Sequence, residues 1–298
     1  MDSAPLPEQC GFESTWFNLP GLRTHAAVAG PREGPLLVLL HGFPEFWYSW
    51  RHQIGTLARA GFRVVAPDQR GYNLTEMTPP YDIATVTGDA AGLIRACGRE
   101  RAFVAGHDWG AAVAWTLAAL HPECVERLAV LNVPHPAVMR RALSGRNFRQ
   151  MRRSWYILLF QLPRLPEWLL FRNDFARLRW LMRASSRRGT FTDQDLGRYR
   201  EAWSRPGSLS ASIGWYRALG RTIFAGRRSL RVGRVSVPTL ILWGERDAAL
   251  GVELAEQSTA WLDSGSLVRF PNATHWVHED LPEEINRTLL AHFGAAER

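Results

Sequence analysis

The sequence predicts a doubly wound α/β protein with a mostly parallel, eight-stranded sheet and an inserted all-helical cap. Short apolar runs typical of buried strands alternate with helical stretches, and polar motifs follow the strands. The strand pattern disappears between residues 134 and 237, where aromatic residues and leucines recur at helical spacing. We therefore expect core residues 1–137, a helical cap at residues 138–232, and a second core segment at residues 233–298.

The strands can be predicted in chain order. Residues 13–28 alternate weakly around the turn Leu19-Pro20-Gly21-Leu22 and indicate a hairpin. The buried strands that follow are expected at residues 36–40, 63–67, 102–105, 128–132, 239–243 and 267–270. Helices are predicted at residues 46–60 and 83–97, directly after the elbow turn at residues 106–110, and at 282–293, where proline occupies the first position.

The charge is unevenly distributed. All 36 basic residues are arginine, and residues 140–234 contain 22 arginines against 5 acidic residues, a net charge of +17. A solvated helical cap accounts for this charge; acidic substrates or a lipid surface are the alternatives. No nucleic-acid-binding motif accompanies it, so we expect no nucleic acid partner.

Compartment signals are few. Residues 1–5 lack the basic and apolar regions of a signal peptide, and no apolar run approaches the 18 residues of a membrane span. The three cysteines are scattered, which argues against a disulfide framework. We expect a cytoplasmic protein without a membrane span, and the sequence is compatible with a homodimer.

The motif Gly106-His107-Asp108-Trp109-Gly110 lies between a predicted buried strand and an alanine-rich helix. This context is typical of a nucleophile elbow, a sharp turn that exposes a reactive side chain above the sheet. The central residue is aspartate, whose carboxylate is ionised at neutral pH and can attack an sp3 carbon to form an ester. An epoxide or a carbon–halogen bond suits this nucleophile. The alternative is a tight turn with a surface aspartate.

A base is needed to hydrolyse such an ester. His275 follows the last predicted strand, and the order nucleophile, acid, histidine is that of this type of fold. Asp247 is the preferred orienting acid, with Glu245 a weaker candidate, while Asn132 follows another strand but cannot carry the charge. His275 and His278 with Glu279 do not match a zinc motif, so we expect no metal and no cofactor.

The segment His41-Gly42-Phe43-Pro44 follows a strand where an oxyanion-hole loop would lie. The backbone N–H groups of Phe43 and Trp109 are predicted to converge on the oxyanion formed during ester hydrolysis. His41, Gly42, Pro44 and His107 are expected to support this loop and the elbow.

Nearly the whole chain resembles an epoxide hydrolase of the α/β-hydrolase fold, similar to the soluble epoxide hydrolases. The resemblance rests on the motif from His41 to Trp50, on Asp68-Gln69-Arg70-Gly71-Tyr72, and on the elbow. Residues 154–163 and Trp215-Tyr216-Arg217 resemble the segments bearing the two cap tyrosines, which implies that Tyr156 and Tyr216 hold the epoxide oxygen. The resemblance implies conversion of an epoxide to a vicinal diol through a covalent ester on Asp108, a detoxification reaction. Cap aromatics such as Trp155, Phe160, Trp168 and Trp180 suggest an apolar pocket, and hence a small lipophilic or aryl epoxide as the substrate. Residues 73–78 depart from the family pattern.

Two alternatives stay open on the sequence. A haloalkane or haloacid dehalogenase would use the same Asp-His-Asp set, but it needs halide donors where this chain has cap tyrosines. A non-catalytic, ligand-binding member of the fold would keep the pocket without the reaction.

Overall fold

A computed structural model describes residues 7–224 and 231–294. Residues 1–5, for which the sequence predicts no signal peptide, lie outside the described residues. Residues 225–230, which belong to the predicted cap, also lie outside them.

The core of the molecule is one eight-stranded sheet with the strand order β1-β2-β4-β3-β5-β6-β7-β8. Strands β1 and β2 form an antiparallel hairpin, β2 also pairs antiparallel with β4, and the remaining neighbours are parallel. This arrangement confirms the predicted mostly parallel sheet. The strands are β1 Glu13–Leu19, β2 Leu22–Ala29, β3 Leu36–Leu40, β4 Arg63–Pro67, β5 Ala102–His107, β6 Val125–Leu131, β7 Thr239–Gly244 and β8 Gly265–Phe270.

The first helices confirm the predicted alternation and correct one boundary. The expected helix at residues 46–60 begins as a short 3-10 turn, Trp47–Trp50, and continues as α1, because the turn residues are buried among aromatic rings of the core. The helices before β6 are α1 Arg51–Arg59, α2 Ile83–Ala96 and α3 Trp109–Leu120.

Between β6 and β7 the described residues contain helices and no strand. Helix α7 is interrupted at Arg172–Phe175, where the backbone leaves helical geometry. The helices of this region are α4 Pro136–Arg141, α5 Phe148–Arg153, α6 Trp155–Leu159, α7 Leu165–Ser185, α8 Asp193–Trp203 and α9 Ser208–Phe224.

The last helices flank the final strand. They are α10 Val252–Thr259, α11 Val277–Asp280 and α12 Pro282–Phe293. Helix α12 occupies the residues predicted for the closing helix. No helix in the described ranges combines the length and hydropathy needed to cross a membrane.

Apolar side chains cover both faces of the sheet. In β3, Leu37 and Leu39 pack into one core layer, whereas Val38 and Leu40 pack into the other. Side chains alternate between the faces of a strand, so a strand covered on both faces must be apolar throughout. This explains why the central strands appear in the sequence as uninterrupted apolar runs.

Hydrogen bonds from buried cap side chains attach the cap helices to the loops at the carboxyl edge of the sheet. The indole N–H of Trp203 donates to the carbonyl of Pro44 at 2.6 Å, and that of Trp215 donates to the carbonyl of Arg70 at 3.1 Å. The amide of Gln150 donates to the carbonyl of Ala249 at 2.8 Å. The cap is therefore held directly above the ends of β3, β4 and β7.

Candidate active site

Asp108 lies on a sharp turn between β5 and α3. Its φ of 48° and ψ of −124° place a non-glycine residue in a strained region of backbone space. The turn needs glycine on both sides: a Cβ on Gly106 would lie 2.4 Å from the carbonyl oxygen of Gly110, and one on Gly110 would lie 2.1 Å from that of Leu40. The two glycines therefore let β5, α3 and the end of β3 approach closely.

The structure brings Asp108, His275 and Asp247 together from the ends of three strands. His275 Nε2 lies 3.5 Å from Asp108 Oδ2, and His275 Nδ1 lies 2.7 Å from Asp247 Oδ2. Asp108 follows β5, Asp247 follows β7 and His275 follows β8. The imidazole is therefore oriented by one carboxylate and directed towards the other.

Asp247 is buried in a shell of hydrogen-bond donors. Asn132 donates to its Oδ2 at 2.9 Å, and the backbone N–H groups of Ala249 and Leu250 donate to its Oδ1 at 2.7 and 2.9 Å. Burial opposes ionisation, but the charge of His275 and these hydrogen bonds lower the pKa of Asp247. Asn132, whose neutral amide excludes it as the acid, therefore helps to hold Asp247 in place. Its position in the sequence does not indicate this role.

Glu245, the weaker candidate for the acid, lies elsewhere. Its carboxylate forms a partly exposed ion pair with Arg269 at 2.7 Å. Among the residues considered, Asp247 is therefore the acid bonded to His275.

His275 is buried between two carboxylates. Burial disfavours its charged form, yet Asp247 first and then Asp108 raise the pKa of His275 well above its usual value. The resting site therefore stabilises an imidazolium.

The loop after β3 contacts the carboxylate of Asp108. The backbone N–H of Phe43 donates to Asp108 Oδ1 at 2.8 Å. Trp109 is the first residue of α3. The backbone N–H groups in the first turn of a helix, including that of Trp109, have no carbonyl acceptor within the same helix. A Cβ on Gly42 would lie 2.2 Å from the Cβ of Asp108, so only glycine fits between loop and elbow.

The supporting residues hold this loop in shape. His41 Nε2 accepts from the backbone N–H of Gln69 at 3.0 Å, and Nδ1 donates to the carbonyl of Gly42 at 2.9 Å. Burial lowers the pKa of His41, which suits this neutral tautomer. The peptide bond between Phe43 and Pro44 is cis.

The two cap tyrosines lie beside each other on α6 and α9. The ring centroids of Tyr156 and Tyr216 are 5.9 Å apart, and the Tyr216 ring lies 5.3 Å from Phe43 and 5.1 Å from Trp109. Burial, followed by the charge of Asp108, raises the pKa of Tyr156 and that of Tyr216 above the usual phenol range. Both phenols therefore remain protonated donors at neutral pH.

A buried cluster that the sequence analysis missed lies behind the elbow. The Glu45, His107 and His278 side chains offer ligand atoms within 4.8 Å of one another, a spacing compatible with a metal ion. These residues are far apart in the chain, so no local spacing could have indicated the cluster.

Hydrogen-bond geometry favours an ion pair over a metal in this cluster. His107 Nε2 must donate to the carbonyl of His275 at 2.9 Å, while Nδ1 lies 2.9 Å from Glu45 Oε2. Despite burial, the charge of His107 lowers the pKa of Glu45 well below its usual value. His107 Nδ1 and Glu45 Oε2 are therefore already joined to each other across the position that a metal ion would take.

The chain matches known proteins over nearly its full length. Residues 35–282 match the family model of the alpha/beta hydrolase fold. The chain is 43% identical to "AB hydrolase superfamily protein YfhM" of Bacillus subtilis over 283 residues, 94% of this chain and 97% of that protein. It is 36% identical to "Epoxide hydrolase 1" of Caenorhabditis elegans, over 94% of this chain and 70% of that protein.

A solved structure gives the same result. The crystal structure of the Bacillus megaterium epoxide hydrolase in complex with an inhibitor superposes with a TM-score of 0.86 at 30% sequence identity, covering 94% of this chain and 99% of that one. The chain belongs to the α/β hydrolase fold family, and its place within that family is among the epoxide hydrolases.

Proposed function

We propose that this protein hydrolyses an epoxide to a vicinal diol through a covalent ester on Asp108. The observation that carries the proposal is an aspartate on a strained elbow with two protonated phenols close by, that of the half-buried Tyr156 and that of the buried Tyr216. A carboxylate attacks carbon without a base, and phenols donate to the oxygen that the opening ring releases. Proposed roles are nucleophile for Asp108, base for His275, orienting acid for Asp247, and epoxide-oxygen donors for Tyr156 and Tyr216.

The two oxygens of Asp108 are suited to different tasks. Oδ1 accepts the N–H of Phe43, whereas Oδ2 faces His275 at 3.5 Å. We assign the attack to Oδ2: it forms a bond to an epoxide carbon, the carbon–oxygen bond of the ring breaks, and the released oxygen takes a proton from the phenols. Oδ1 then becomes the ester carbonyl, already placed at the N–H of Phe43.

The second step regenerates the carboxylate. Forming the ester removes the charge of Asp108, one of the causes that raise the pKa of His275, so that pKa falls. The imidazolium gives its proton to the phenolate left by ring opening, and the neutral imidazole then takes a proton from water, whose oxygen attacks the carbonyl carbon of Asp108. The charge that develops on Oδ1 meets the N–H groups of Phe43 and Trp109. The ester bond breaks, and the departing alkoxide takes the remaining proton of the attacking water from the new carboxyl group, which releases the diol and restores the Asp108 carboxylate and the His275 imidazolium.

Aromatic side chains around the tyrosines suggest the substrate class. The Tyr216 ring is bordered by Phe43, Trp109 and Phe160, with the Phe160 centroid at 4.9 Å. Such walls favour a small lipophilic or aryl epoxide. We propose residues 138–232 as the cap that carries both tyrosines, with the protein acting on reactive epoxides in a detoxifying role.

The three free cysteines favour the reducing cytoplasm as the site of this activity, which we also propose. The reaction as written uses protein side chains and water, and it requires no cofactor or metal.

The proposal is tested by single turnover of styrene oxide with excess enzyme in heavy-oxygen water. Label should enter Asp108, and the first diol should carry unlabelled oxygen taken from the carboxylate. Asp108→Ala should form no diol, and Tyr156→Phe with Tyr216→Phe should lose ring opening.

Tyr81→Phe is the matched control, because it removes a phenol from a half-buried ring whose pKa is affected by the charge of Arg70 and not by that of Asp108, and it should leave turnover unchanged. Halide release from a haloalkane without diol formation would replace the proposal with the dehalogenase alternative. Binding of an epoxide without any turnover would favour a ligand-binding protein.

A further inference from the structure

Large apolar side chains are exposed almost entirely on the cap. Of the twelve large hydrophobic residues that are exposed among the described residues, ten lie between Phe148 and Leu181. The other two are Trp16 and Leu120 in the core. Contiguous exposed apolar residues on a protein that covers its core elsewhere indicate an interaction surface.

Six of these residues follow one another at intervals of three or four along the segment through α5 and α6 to the start of α7. Because α5 ends at Arg153, α6 at Leu159 and α7 begins at Leu165, their common exposure to solvent groups them, not one continuous helical face. We name this set the cap stripe: Phe148, Met151, Trp155, Leu158, Leu162 and Leu165, each at least 38% exposed.

The opposite side of the same segment faces the interior. Ile157 and Phe160 are buried, and Tyr156 is half-buried beside Tyr216. The segment is therefore apolar on both sides, and burial against the core explains one side only.

The stripe continues onto α7. Arg217 donates to the carbonyl of Leu162 at 2.9 Å and to the carboxylate of Glu167 at 2.6 and 3.0 Å, which joins the end of the α6 segment to the first turn of α7. Trp168 and Phe171 follow at helical spacing and are 54% and 63% exposed.

Arginines without acidic partners accompany the stripe. Residues 140–185 contain 11 arginines and two acidic residues, Glu167 and Asp174, a net charge of +9. Both acidic side chains are already paired with arginines. Within the described residues, no ion pair is formed by Arg149, Arg152, Arg164 or Arg172, all of which are exposed.

We propose that the cap stripe and its arginines bind the surface of a membrane containing anionic lipids. Exposed tryptophan, phenylalanine and leucine can enter the boundary between headgroups and acyl chains, while arginines reach lipid phosphates. A second copy of this chain fits less well, because a symmetric contact through the cap would oppose two faces of net charge +9. This surface lies on the segment that carries Tyr156, so a lipophilic substrate dissolved in the bilayer would be close to the site.

The test is flotation of the purified full chain with phosphatidylcholine vesicles, with and without phosphatidylglycerol. We expect binding to the anionic vesicles at low ionic strength and its loss in high salt. Arg149→Gln with Arg152→Gln should weaken the partition coefficient on the order of 20-fold. Phe148→Ser with Leu158→Ser should weaken it by roughly 10-fold or more.

The matched controls lie on the core. Arg32→Gln with Arg95→Gln removes the same charge from two exposed arginines, and Leu120→Ser removes an exposed apolar side chain. Both should bind like wild type. No binding at low salt, or equal weakening by cap and core variants, would overturn the proposal.

Light scattering distinguishes membrane binding from the alternative, in which a second copy of the chain covers the cap stripe. If Phe148→Ser with Leu158→Ser instead converts a dimer of the free protein to a monomer, the stripe is a contact between copies and the lipid proposal is wrong. These outcomes are independent of epoxide turnover in detergent-free solution, so failure here leaves the proposed hydrolysis untouched.

Discussion

The two carboxylate oxygens of Asp108 have different neighbours, which suits the ester formation and ester hydrolysis of the proposed mechanism. Its strained backbone directs the side chain into the space between the loop after β3 and His275. The N–H of Phe43 holds one oxygen and leaves the other towards the imidazole. In the proposed mechanism, the donor that would stabilise the transition state of ester hydrolysis is therefore in contact with Asp108 before the ester forms.

Asp247 should matter mainly for the second step. In Asp247→Asn, the amide can present its N–H₂ to His275 Nδ1, which favours the wrong tautomer, and ester hydrolysis should fall by about 10³- to 10⁴-fold. Attack by Asp108 needs no base and should be affected far less. Rapid quenching and mass spectrometry of the intact protein should show the Asp108 ester accumulating.

Glu245→Gln is the control for this variant. It removes a carboxylate from the same loop, but one that pairs with Arg269, so turnover should stay near wild type. Equal losses in the two variants, or no ester in Asp247→Asn, would remove Asp247 from its assigned role.

At the scale of elements, the site depends on how closely the loop after β3 approaches the elbow after β5. Gly42 lies against Asp108, and Gly110 lies against the end of β3. The two turns cannot move independently, because β3 and β5 are neighbouring parallel strands whose carboxyl ends meet. Parallel pairing thus converts two separate sequence motifs into one surface.

Gly42→Ala should disrupt this surface. The added Cβ would lie 2.2 Å from the Cβ of Asp108, so the loop must shift and the N–H of Phe43 must leave Oδ1. We expect a fall in kcat of about 10²- to 10³-fold, the usual effect of losing one oxyanion donor. Steady-state kinetics with styrene oxide measures it.

Gly88→Ala is the matched substitution. Gly88 lies exposed in α2, where a Cβ meets nothing within 4 Å, so stability should rise by up to about 1 kcal/mol with unchanged kcat. A Gly42→Ala enzyme with normal turnover would show that the loop position is not needed.

At the scale of the whole molecule, buried histidines should make the fold sensitive to acid. Burial, the largest cause, lowers the pKa of His135 and that of His278 to about 4, and it also lowers the pKa of His41. Unfolded histidines titrate near ~6.5, so between about pH 6.5 and 4 the unfolded chain binds more protons at these sites. Stability is then lost as the pH falls through this window.

Glu279 acts in the opposite direction. Burial raises its pKa to about 7, so the folded state takes up this proton first and gains stability as the pH falls towards ~4.5. The pKa values of His52 and His292 are lowered as well, so the histidines with a lowered pKa outnumber Glu279 and His275, whose pKa values are raised. The free energy of unfolding should therefore fall from pH 6.5 to 5, by about 1.4 kcal/mol per pH unit for each net proton.

Denaturant titrations at several pH values measure this slope. His135→Asn should flatten it, because asparagine can still cap α4 but does not titrate. A slope of zero, or one that His135→Asn leaves unchanged, would contradict the assignment.

The sequence by itself determined the fold and predicted most residues of the candidate site. Apolar runs of strand length that alternate with helical segments specify a parallel sheet, and the chemistry follows the strand ends, as in Asp108 after β5 and Asp247 after β7. These signals are local, because the residue types that an elbow or a buried strand requires lie within a few positions of one another in the chain. The sequence already favoured Asp247 over Glu245, and the fold shows that Asp247 is the carboxylate bonded to His275, whereas Glu245 pairs with Arg269.

Tertiary structure decided the environment of the site. Asn132 beneath Asp247 and Glu45 with His107 and His278 behind the elbow join residues that are distant in the chain. Which side of a cap helix is exposed is also decided by packing: Phe148 and Leu158 show the same apolar pattern as buried residues, yet they face solvent. Periodicity identifies a face, but only the arrangement of neighbouring elements determines what covers it.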